Sequence, residues 1–194
     1  MQERFQESSE VLNLLSFDSQ TAKTLAKIAE EITTRLNKGR RVVIFGNGGS
    51  AADAQHFAAE LVGGYTNHNR KALDAIALST NTSNLTAIGN DYAFDEIFSR
   101  QIQAHCRQGD VAIGISTSGN SKNVLLALRQ AKRMGVLTVG FTGHQGGLMK
   151  KDKAIDLLFQ APSRATPRIQ EAHINAIHSI CELIEITLFG RGKN

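Results

Sequence analysis

The chain has 194 residues, 41% of them apolar and 21% charged, with a formal net charge of +4 and two cysteines. That size and balance suit one globular domain with a sizeable core, or one domain with helical additions. They speak against a membrane span, a disulfide framework and the dense basic footprint of a nucleic-acid binder.

Two helical segments open the chain, at about 2–15 and 19–38. The start lacks the basic stretch and long apolar run of a signal peptide. In the second segment Leu25, Ile28, Ile32 and Leu36 form an apolar stripe at helical spacing. Five short apolar runs follow, at 41–46, 72–78, 110–116, 137–143 and 155–162, and read as strands. Helix-like segments separate them: about 50–63, 82–107 with a break near Gly89–Asn90, 120–134, and a short piece near 147–153. A long helix from about Thr166 to Leu188 closes the chain, with Ile174, Ile177, Cys181, Ile184 and Leu188 as its stripe. Strand–helix alternation predicts an α/β fold, a five-stranded parallel sheet covered by helices on both faces. The division is a single domain, 1–194, with N-terminal helices at 1–38, an α/β core at 39–162 and a C-terminal helix at 163–190. The terminal helices lie outside the alternation, so their stripes are expected to pack on each other or on another subunit.

In a parallel sheet, ligands bind beyond the carboxyl ends of the strands. After the first strand comes Gly46-Asn47-Gly48-Gly49-Ser50, where glycines permit close backbone approach and the next helix N-terminus favours anions. The spacing also fits a dinucleotide fingerprint, but "LSTNTSN" after the second strand lacks the acid that this reading requires. Ser116, Thr117, Ser118 and Ser121 crowd around Gly119 after the third strand. One helix cap explains one such hydroxyl and leaves the others for a phosphate. His56 and Glu60 lie one turn apart on a helix face, either a surface pair or two arms of one site. Gln170 and His178 border the apolar stripe of the last helix as site or interface residues, and His173 reads as a surface or interface residue.

The stretches "GNGGSAADAQHFAAEL", "AIGNDYAFDEIFSRQ", "GDVAIGISTSGNSKNV", "GFTG" and "RIQEAHINAIH" resemble the sedoheptulose 7-phosphate isomerase (phosphoheptose isomerase) family, within the sugar isomerase (SIS) domain fold, from about residue 20 to 188. The resemblance implies a flavodoxin-like sheet, with the terminal helices forming an oligomer core. It implies a cytoplasmic homotetramer that converts D-sedoheptulose 7-phosphate into D-glycero-D-manno-heptose 7-phosphate, on the way to lipopolysaccharide heptose. It implies Glu60 as base and His178 as acid. Substrate contacts would come from Asn47, Gly48, Gly49, His56, Glu60, Asn90, Asp91, Ser116, Thr117, Ser118, Ser121 and Gln170. A zinc ion would be held by His56, Glu60, Gln170 and His178. His178 is then expected to serve a site built partly from another chain. One departure stands out: "VGGY" has Gly64 where the family commonly has Arg, and Arg70 is the candidate to replace it. A second reading is a non-enzymatic SIS adaptor that binds the replication initiator. Such an adaptor has no need of Glu60 and His178, and both are present.

Overall fold

The computed structural model describes residues 1–190. Two helices, α1 (Gln2–Phe17) and α2 (Ser19–Asn37), precede the first strand. Asp18 separates them and accepts a hydrogen bond from Gln20 N as the N-cap of α2. The strands are β1 (Val42–Gly46), β2 (Ala75–Ala77), β3 (Val111–Ile115), β4 (Leu137–Gly143) and β5 (Leu157–Ala161). They pair in parallel in the order β2-β1-β3-β4-β5. Between them run α3 (Gly49–Gly63), α4 (Thr82–Asp91), α5 (Ser99–His105) and α6 (Lys122–Arg133), and α7 (Thr166–Phe189) closes the described chain.

The predicted 82–107 helix is three pieces: α4, a 3-10 turn at Phe94–Glu96, and α5. Its break falls three residues beyond Gly89–Asn90, because α4 continues through Asp91 and stops at Tyr92. Only a 3-10 turn, Met149–Lys151, forms in the short piece near 147–153.

β1 and β3 are buried along their whole lengths, so each alternates between two apolar layers. One layer joins Ile44, Ile113 and Phe141 to α2, α3 and α7. The other joins Val43, Phe45 and Ala112 to α5 and α6. The stripes of α2 and α7 are therefore largely satisfied inside one chain: Ile28, Ile32, Leu36, Ile177, Cys181 and Ile184 are all buried. Of the two outcomes expected for those stripes, packing on each other is the one seen within the chain. The largest group of open apolar side chains on one element is on α1, where Phe5 is 70% and Phe17 88% exposed, together with Leu12 and Leu14.

The strand order reverses between β1 and β3. A crevice opens at such a switch point, beyond the carboxyl ends of the two strands. The fold thus brings the glycine loop and the hydroxyl loop to one place, 70 residues apart in the chain though they are.

Candidate active site

The glycine loop joins β1 to α3. Gly48 has φ +56°, a conformation that a side chain rarely adopts, and it stands as the N-cap of α3. At Gly49 a Cβ would collide with the Gln170 amide. That glycine is what lets α7 bring Gln170 onto the loop. Asn47 exchanges two hydrogen bonds with Asn123 on α6, each 2.9 Å. Asn123 is buried and also accepts from Val124 N. Its role was invisible in the sequence: it ties the glycine loop to the hydroxyl loop and engages the Asn47 side chain in doing so.

The hydroxyl loop lies between β3 and α6. Ser116 Oγ is 2.9 Å from Ser121 Oγ and 3.5 Å from Ser118 Oγ. Ser121 occupies the N-cap of α6 but makes no side-chain cap hydrogen bond. Ordinary capping therefore does not explain it, and the positive end of the 12-residue α6 stays available to an anion. Beside this loop a cavity of about 180 Å³ is lined by Thr117, Ser118, His144 and Arg164, among others. His144 and Arg164 were missed in the sequence. Their signal is position, immediately after β4 and shortly after β5.

Gly49, Asp53, His56 and Glu60 fall at i, i+4, i+7 and i+11, one face of α3. The opposite face buries Ala54, Phe57, Ala58 and Leu61. α7 lies against α3 and supplies His178. Its Nε2 stands 3.0 Å from His56 Nε2, which in turn stands 3.2 Å from Glu60 Oε1. Glu60, His56 and His178 thus meet within a single chain. The Tyr65 ring centroid is 5.8 Å from that of His178 and walls the group on one side.

Three donor atoms of the types that zinc takes face one another here, two imidazole nitrogens and a carboxylate oxygen. Zn–N bonds of about 2.0–2.1 Å in tetrahedral geometry put ligand atoms about 3.3 Å apart, close to the observed spacings. Among the described residues no group of three or more His, Cys, Asp or Glu is placed to hold a metal ion, so these side chains would have to move to close on one. Gln170 is eight residues from His178, roughly 12 Å along the helix, and seated on Gly49. Asn90 and Asp91 are exposed at the end of α4, bonded to each other at 2.8 Å. No hydrogen bond among the described residues joins them to either loop.

Asp53 is the other unusual member of the α3 face. Its Oδ2 is buried with no hydrogen-bond partner. Burial pushes its pKa up to about 6, opposed by the nearby His56.

The helix pair is locked by Glu185. Burial alone would raise its pKa. Hydrogen bonds from Thr66 Oγ1 (2.6 Å), Arg70 Nε (2.7 Å) and the backbone N–H groups of Thr66 and Asn67 outweigh this and hold it at about 2. Arg70 also donates to Glu60 O at 2.7 Å and to Lys71 O at 2.9 Å. Its side chain is 2% exposed, so it is structural and does not stand in as a free cation for the family's arginine. Gly64 itself has φ +109° where α3 ends, a conformation that disfavours Arg.

His173, read from the sequence as a surface or interface residue, is fully buried against Phe141 and Phe159. It donates from Nε2 to Thr142 O at 3.2 Å, and burial lowers its pKa to about 4, leaving it neutral.

The sequence matches the SIS domain family over residues 6–143. Phosphoheptose isomerase of Aquifex aeolicus is 52% identical over 181 residues, 93% of this chain and 92% of its own length. That of Geobacter sulfurreducens is 51% identical over 176 residues, 91% of this chain and 92% of its own. Among solved structures, phosphoheptose isomerase from Neisseria gonorrhoeae superposes with a TM-score of 0.86 at 43% identity, covering 94% of this chain and 96% of that one. The Francisella tularensis phosphoheptose isomerase gives 0.88 at 30% identity, covering 94% and 95%. With the switch-point crevice, the glycine and hydroxyl loops and the His56–Glu60–His178 group all in place, the chain belongs to the phosphoheptose isomerase family of SIS-domain enzymes and is a sugar-phosphate isomerase.

Proposed function

We propose that the chain interconverts D-sedoheptulose 7-phosphate and D-glycero-D-manno-heptose 7-phosphate through an enediol, in lipopolysaccharide precursor synthesis. The observation that carries this is the convergence of Glu60, His56 and His178 beside the glycine loop, on the crevice that the hydroxyl loop also borders. Ser116, Thr117, Ser118, Ser121 and the α6 N-terminus seat the phosphate. Gly48 and Gly49 admit the sugar backbone, with Gln170 beside them. Glu60 takes the C1 proton of the ketose, and the C1–C2 double bond forms as O2 takes a proton from His178. His178 then removes the O1 proton. The carbonyl forms at C1, and Glu60 returns its proton to C2. His56, Glu60 and His178 would hold zinc, which when bound polarises the two oxygens. Gln170, seated two turns away, serves the substrate in this reading.

The assembly in this proposal is a cytoplasmic homotetramer. The open apolar side chains of α1 support burial against other copies, and Asn90 and Asp91, exposed and not hydrogen-bonded to either loop among the described residues, are available to a neighbour's crevice. Buried, unpaired Cys106 and Cys181 fit a reducing compartment. Among the described residues no helix is long and apolar enough to cross a membrane. The adaptor reading draws no support from the relatives, which are named as isomerases, nor from a chain that keeps Glu60 and His178.

The test is to incubate the purified protein with sedoheptulose 7-phosphate and follow the aldose signals by NMR. Steady appearance of the aldose is expected. No conversion, with or without added zinc, would remove this substrate assignment.

A further inference from the structure

The end of the sheet away from the crevice is built very differently. There α2 stops at Asn37, Gly39 turns the chain, and Arg40 and Arg41 lead into β1. Next to them α5 stops at His105 and Arg107 leads toward β3. Between these two ends lies a cavity of about 540 Å³, lined by Thr34, Arg35, Lys38, Arg40, Arg107 and Gly109, together with Gln108. Its volume falls within the range of about 300–1,000 Å³ typical of small-molecule sites. Four of its lining residues are cations and none is an acid.

The neighbouring acids are already engaged. Glu31 pairs with Lys27 and Arg35. Asp74 pairs with Arg41 at 2.9 Å. The Asp110 carboxylate accepts from the backbone N–H groups of Arg41 (3.0 Å) and Arg107 (2.7 Å). Lys38, Arg40 and Arg107 have no ion-pair partner among the described residues. The ordinary explanation for such residues is that they answer helix C-termini, and Arg107 does donate to Ala104 O and Cys106 O of α5. Each helix end carries only about half a negative charge. Two ends therefore meet about one of the three unpaired cations, and the Asp110 carboxylate, whose charge its backbone hydrogen bonds do not cancel, meets about another, which leaves an excess of about one positive charge around one concave surface.

We infer that this cavity is a second anion site, which takes a small molecule bearing a pyrophosphate group, such as a nucleoside diphosphate. Arg40 and Arg107 present planar guanidinium groups suited to paired phosphate oxygens, and Lys38 adds a mobile point charge. Because the site lies at the amino ends of β1 and β3, while the glycine and hydroxyl loops lie at their carboxyl ends, its ligand does not compete with the sugar phosphate. The inference is independent of the substrate assignment, since its readout is binding.

Isothermal titration with pyrophosphate, ADP and inorganic phosphate tests it. Pyrophosphate and ADP are expected to bind the wild type more tightly than phosphate does, and more weakly as salt rises. A Lys38→Gln/Arg40→Gln variant should lose at least about 10-fold in affinity, the scale of one charge-assisted hydrogen bond. Its isomerase activity should be unchanged. Arg107→Gln, which retains a side chain able to cap α5, should weaken binding separately. A Ser118→Ala/Ser121→Ala variant should keep pyrophosphate binding. The inference is overturned if pyrophosphate does not bind, if the cation variants bind it as the wild type does, or if binding disappears with the serines, since the anion then sits in the hydroxyl loop.

Discussion

Around α7, two glutamates, Glu60 and Glu185, and two of the histidines, His173 and His178, are treated in opposite ways. On the closed side, Glu185 accepts from Arg70, Thr66 and a run of backbone N–H groups, and His173 is sealed among aromatic rings. On the open side, Glu60 and His178 touch His56 and little else. A carboxylate with every lone pair occupied is a fastener. One with lone pairs to spare can accept a proton from a substrate. The lesson is that residue type does not separate structure from chemistry here. Saturation does.

The closed side can be broken at Glu185. Replacing it with Ala leaves the Arg70 guanidinium buried and unpaired, and should cost about 3–5 kcal/mol in chemical denaturation. The same group predicts acid sensitivity. Its folded pKa of about 2 lies below the ordinary 4.5, so its contribution is present above about pH 4.5 and lost as pH falls through 2. A Glu185→Gln variant should show a flatter stability profile over that window.

His173 acts at higher pH. A histidine held neutral with a folded pKa of about 4 gives stability that is complete above its ordinary 6.5 and lost as pH falls through 4. The shift corresponds to about 3 kcal/mol. His173→Phe should remove most of the slope between pH 6.5 and 4 in thermal melts. An unchanged slope would mean that other groups carry it.

On the open side, Glu60→Gln should lower turnover by about 10²-fold or more, the scale of general base catalysis, with the melting temperature nearly unaltered. Activity close to wild type would move the base elsewhere.

The smallest expected effect is at Asp53, which belongs to neither side. Its folded pKa of about 6 exceeds the ordinary 3.8, so its stability contribution is complete below pH 3.8 and lost as pH rises through 6. Asp53→Asn should therefore stabilise the protein at neutral pH by about 1 kcal/mol, after allowance for solvent screening of a partly exposed group. A destabilised variant would show that the unpartnered oxygen has an ionic role.

The open side was largely legible in the sequence, because its residues come in short local patterns: a glycine loop, a hydroxyl cluster and an i, i+4 pair. The closed side was not. Glu185 meets Thr66 and Arg70 across more than 110 residues, and Asn47 meets Asn123 across 76. No local spacing announces such partners. His173 was misplaced because the stripe on α7 shows that one face is apolar, but not that the sheet also covers the adjoining side. The five strands were all found, since each is a short apolar run ended by a turn. The break after α4 was placed a few residues early, at the glycine, although the helix runs through Gly89 and Asn90. Arg70 was named as a replacement for the family's arginine by charge alone, and the structure engages its guanidinium with Glu185, Glu60 O and Lys71 O.

The most direct test of Glu60 as the proton carrier is solvent exchange at the substrate carbon. In D2O, Glu60 is open enough to trade its proton with solvent, its side chain being 23% exposed. The wild type should place deuterium at C1 of the ketose and C2 of the aldose, followed by NMR. The Glu60→Gln variant should lose that exchange by about 10²-fold, while Glu185→Gln keeps it wherever the protein remains folded. Exchange that persists in Glu60→Gln at the wild-type rate would contradict the account.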